Sequence, residues 1–140
     1  MGILIDDDEL AGGQNTYARL AETNANIRRL SDSAHRFEAT AEDARRIARL
    51  LEHEVAILHR TFSPLRTLHT SSTWEGLAAS QSRRRLDRHE DEFTMELRRI
   101  DRVIDELATR AFAAMRSAEA TRDLLESAQR EARNLKAALD

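Results

Sequence analysis

Cysteine is absent, proline occurs once and glycine four times in 140 residues. Without cysteine there is no disulfide framework, no thiolate metal site and no cysteine nucleophile. Glycine and proline together make up roughly 12% of an average chain, so five such residues leave room for very few turns. Aromatics are 4%, and the apolar fraction leans on alanine, a composition that starves the core of a sheet or barrel. Long apolar runs are missing too. A stretch such as Val55 to Leu58 is far short of a membrane span or a signal-peptide core, so any export is expected to proceed without a cleavable signal. Neither sign of charge dominates. With 22 basic and 25 acidic residues the net charge is −3, which argues against nucleic acid or an anionic membrane as the main partner.

What remains is long helix. From Ile27, steps of three and four residues land on Leu30, Ala34, Phe37, Ala41, Ala44, Ala48, Leu51, Val55, Leu58, Phe62 and Leu65, all apolar. In the second half the same steps run from Phe93 through Leu97, Ile100, Ile104, Leu107, Ala111, Ala114 and Ala118 to Leu139, with Thr121 the one polar position. A strict 3.5-residue period is the signature of a left-handed coiled-coil seam. Three places interrupt it. Residues 1–15, with the acidic block Asp6-Asp7-Asp8-Glu9 and the Gly12-Gly13 pair, read as a flexible tail ending where Asn15 or Thr16 caps a helix. Pro64 is expected to bend the end of the first arm, because it lacks a backbone donor. The cluster from Thr70 to Gly76 has turn composition. The expected fold is therefore all-α: an antiparallel hairpin over 16–140, with arms at about 16–70 and 76–139 and a turn at 71–76.

Folding back about Trp74 would set Val55 against Phe93, Leu51 against Leu97, Ala48 against Ile100, Leu30 against Ala118 and Leu20 against Ala128. Small residues then face large ones, as close interdigitation requires. Arg83 and Glu90 would fall on seam positions, so packing near the tip is expected to be looser or displaced by Pro64. Off the seam lie Ile47, Leu50 and Ile57 on the first arm and Val103, Phe112, Met115 and Leu124 on the second. They either broaden the contact between the arms or form a face that a second hairpin covers, making a four-helix bundle.

The turn carries its own signals. Ser72 with Glu75 three residues on fits a capping box for the second arm, and Gly76 on the seam would let the two backbones approach closely. Trp74, at the mirror point, is either an end-plug over the seam or a contact for a partner. Trp74-Glu75-Gly76 between two amphipathic helices, followed by Leu77-Ala78-Ala79 and Leu86, resembles the Trp-x-Gly (WXG) hairpins of bacterial type VII secretion. The resemblance implies a non-enzymatic helical protein exported folded, paired with itself or with another hairpin, and acting as partner, adaptor or targeting subunit for a larger effector, with a secretion ATPase as a further partner. Two features depart from that pattern. The arms are several turns longer than is usual for these hairpins, and no Tyr-x-x-x-Asp/Glu signal follows the second helix, since the one tyrosine, Tyr17, has Ala21 four residues on. Export would then depend on a signal supplied by a partner, or the protein is not exported at all.

Catalytic and metal chemistry finds little support. His35, His53, His59, His69 and His89 form no His-x-x-x-His pair and no Glu-x-x-His unit, so no metal site is expected. Gly12-Gly13 lacks the flanking strand and lysine of a phosphate loop, and no cofactor is expected. Arg83, Arg84, Arg85 and Arg88 make the tip locally basic. They suit either an acidic docking partner or a solvated face neutralised by Asp87, Glu90, Asp91 and Glu92. The competing reading of the whole chain is an intracellular structural or regulatory coiled-coil hairpin whose Trp-x-Gly is coincidental.

Overall fold

The computed structural model describes residues 7–70 and 77–140, with side chains over 11–64 and 80–140. Each stretch is essentially one helix. Helix α1 spans Asp7–Thr70 and α2 spans Leu77–Leu139. The two pack against each other as a helical hairpin, with no strand among the described residues.

Two expected interruptions are helical instead. Residues 7–15 are the first turns of α1 rather than a tail ahead of it, and Gly12 and Gly13 lie inside the helix. The Thr16 hydroxyl caps nothing: it donates to the Gly12 carbonyl one turn back, at 2.9 Å. Two glycines cost about 2 kcal/mol relative to alanine, an amount the continuing helix absorbs. Pro64 also sits within α1 without ending it. Its ring removes the bond to the Arg60 carbonyl, and both residues are exposed, so the loss falls on the side of the helix that water reaches.

The chain divides into two compact units, one of Met1–Ala41 with Phe112–Asp140 and one of Glu42–Ala111. In the first, the buried residues are Thr23, Ala34, Ala41, Ala114, Ala118, Thr121 and Ala128. The Thr121 hydroxyl donates to the Ser117 carbonyl at 2.7 Å, which satisfies the polar group at this seam position. Two cross-helix ion pairs flank that seam, Arg19 with Glu131 at 3.3 Å and Arg122 with Glu38. In the second unit Ala44 and Ala111 are buried. There Phe62 and Phe93 stack with ring centroids 4.4 Å apart and planes 7° from parallel, and His59 meets the edge of Phe93 at 6.2 Å. No large side chain is fully buried among the described residues. The helices are held by alanine contacts at short range and by half-buried Leu, Ile and Phe beside them.

The seam residues are those the heptads mark, but the register differs by one heptad. Phe62, seven residues beyond Val55, is the residue against Phe93. Carrying that pair along the second unit sets Val55 level with Ile100, Leu51 with Ile104, Ala48 with Leu107 and Ala44 with Ala111. In the first unit the ion pairs Arg19–Glu131 and Glu38–Arg122 bracket the same register, with Ala34 level with Thr121 and Ala41 with Ala114. Ala34, Ala41 and Ala44 thus face threonine or alanine in the middle of the seam, where small against large was expected for Ala41 and Ala44, while Phe37 is level with Ala118 and Ala48 with Leu107. A seven-residue repeat leaves registers one heptad apart equally in phase, and the aromatic stack favours the one observed by roughly 0.5–1.5 kcal/mol beyond its buried area.

Candidate partner-facing surface

In the second unit, Ile47, Leu50 and Ile57 each precede a seam residue by one position (Ala48, Leu51 and Leu58), and Val103 precedes Ile104 in the same way. On one helix these positions share a flank. Two antiparallel helices are related by an axis normal to their common plane, so the same flank of each opens on the same face. Ile47, Leu50, Ile57 and Val103 therefore lie together on one face of the second unit, Val103 level with the stretch between Leu50 and Ile57. All four are exposed, Leu50 by 60% and Val103 by 44%. Glu54, Glu96 and Arg99 are exposed beside them, and Arg99 donates to Glu96 at 2.8 Å. An apolar centre with a charged rim is the composition of a docking patch.

The remaining residues of the expected face do not share one flank. In the first unit Leu124 precedes a seam residue, whereas Phe112 and Met115 follow one, which puts them on the opposite flank of α2. Phe112 is 65% exposed with the Arg116 guanidinium 5.9 Å from its ring centre, and Met115 is half-buried. Tyr17 and Met95 are exposed as well, and their off-seam positions were the available signal. Phe37 and Leu58 are on the seam yet more than a third exposed, because a long side chain on a two-helix seam overhangs its edge.

Near the Phe62–Phe93 stack lies an open cleft of about 410 Å³, with His59, Arg60, Glu90 and Thr94 around an aromatic floor. Sequence reasoning missed this cleft because it forms only in the observed register. Arg83, Arg84, Arg85 and Arg88 are all exposed on α2, and next to them His89 approaches Glu92 at 3.7 Å. The turn residues Ser72, Trp74, Glu75 and Gly76 lie outside the described residues. Among the described residues no group of three or more His, Cys, Asp or Glu is placed to hold a metal ion, and no helix is long and apolar enough to cross a membrane. No family model matches the chain, and no curated protein or solved structure matches it either.

Proposed function

We propose that the protein is a non-enzymatic helical hairpin of a type VII secretion system, acting as a partner, adaptor or targeting subunit for a secreted effector. The observation that carries the reading is the apolar face of Ile47, Leu50, Ile57 and Val103, exposed beside the seam of the hairpin. Trp74-Glu75-Gly76 between two heptad-patterned arms supports it from the sequence side. Covering that face with a second hairpin, its own copy or a paired one, gives a four-helix bundle. The experiment is an immunoblot of culture supernatant and cell lysate, with and without the secretion ATPase of the host. Export is expected only with the ATPase present, and a protein confined to the lysate in both strains overturns the reading.

A structural or regulatory hairpin that stays inside the cell would present the same seam and the same apolar face. Pull-down from the native host separates the two: recovery of a secretion substrate supports the first, and recovery of a resident intracellular complex supports the second.

A further inference from the structure

We infer that the docking face of the second unit takes a second copy of this chain, set antiparallel by a two-fold axis that crosses the helices at Val103. The inference rests on the pairing proposed above and names its partner and orientation from the order of charges on α2. Glu96, Arg99, Val103, Glu106 and Arg110 each precede a seam residue, so they follow one another along the flank that opens on this face. All five are exposed. Their order is acid, base, apolar, acid, base, and turned end for end about Val103 it is its own complement. Arg110 of each copy meets Glu96 of the other, and Arg99 of each meets Glu106 of the other, so one isologous contact holds opposite charges at every charged position of the flank. In the single hairpin Arg99 is held by Glu96 of its own helix at 2.8 Å. That exposed pair contributes little and leaves further guanidinium donors for the second copy.

The apolar residues of α1 fit the same axis. In the register fixed by the Phe62–Phe93 stack, Val103 is level with position 52, and Ile47 and Ile57 stand five residues to either side of that level. The rotation that sets Val103 against its own copy therefore brings Ile47 of each copy to Ile57 of the other, while Leu50 packs along the stem of Glu54. Neighbouring arrangements lose the match. Moving the axis by one face position sets Glu96 against Glu106 in one direction and Arg99 against Arg110 in the other. A further step sets Arg99 or Glu106 against its own copy, and like charges oppose in every case. Laying the second copy's α2 over α1 at equal levels leaves Ile47 between Glu106 and Arg110 and Ile57 between Glu96 and Arg99, apolar residues against charge.

The test reverses one sign of charge at a time. Arg99→Glu with Arg110→Glu makes the α2 flank wholly acidic, and Glu96→Arg with Glu106→Arg makes it wholly basic. These residues are exposed, so both variants should keep the parent's helicity by circular dichroism. Sedimentation equilibrium at micromolar concentration should show a dimer for the parent, self-association about tenfold weaker in each variant alone, and a dimer of parental affinity in their one-to-one mixture. Because the chain has no cysteine, Val103→Cys places two thiols across the axis. Mild oxidation should join it into a disulfide dimer many-fold faster than Phe112→Cys, which lies on the opposite flank of α2. Variants that associate as the parent does, a mixture no tighter than its components, or a Val103→Cys dimer that forms no faster than the Phe112→Cys one overturns the inference and leaves the apolar docking face standing. A parent that stays monomeric overturns it too, and leaves pairing with a different hairpin. Export is decided separately, by the supernatant blot.

Discussion

At the residue scale the molecule is governed by how little most side chains bury. Ala41, with 0% of its surface exposed, contributes one methyl group, worth about 0.8 kcal/mol, so each alanine adds little and the close approach they permit adds more. The concentrated contribution is Phe93, which touches both Phe62 and His59. Phe93→Ala is expected to destabilise the fold by about 2 kcal/mol, below the 3–5 kcal/mol of a fully buried phenylalanine because Phe93 is only half-buried. A denaturant titration followed by circular dichroism measures it. The ion pairs stand at the other extreme. Arg19 and Glu131 are both more than half exposed, and Glu131→Gln should change stability by less than about 1 kcal/mol.

At the scale of the helices, the sequence carries phase more firmly than it carries register or ends. Seam residues from Ile27 to Phe62 and from Phe93 to Leu139 are the ones turned inward, because a 3.5-residue period leaves an antiparallel pair one choice of facing stripe. Register escaped for a physical reason. Size complementarity of Ala48 with Ile100 competes with the stacking of Phe62 on Phe93, two terms of similar magnitude, and the pattern does not rank them. The helix start escaped because Gly12-Gly13 has the composition of a break although helix continues through it. A Cβ built on either glycine meets nothing within 4 Å. Gly12→Ala and Gly13→Ala are accordingly expected to stabilise α1 by about 0.5–1 kcal/mol each. Slower hydrogen exchange of the amides that follow position 13 would register the change.

For the whole molecule, the apolar face of the second unit sets the state of association under the proposed pairing. Its members were legible one by one, as large apolar residues off the seam. Their division between two flanks needed the flank rule applied to each helix in turn, which separates Phe112 and Met115 from Leu124. Under the proposed pairing, Leu50→Glu with Val103→Glu should shift the protein to monomer in light scattering at micromolar concentration. Both residues are exposed, so helicity should be unaltered. Arg84→Glu with Arg85→Glu, far from that patch on α2, should leave the association as it is.

The alanine seam has one more consequence, in heat capacity. Unfolding raises heat capacity through newly hydrated apolar surface, ordinarily by about 12–15 cal/mol/K per residue. A chain with no large side chain fully buried among its described residues has less such surface to release. Its stability should therefore vary little with temperature: a shallow, broad curve, with resistance to cold and a gradual melt in place of a sharp one.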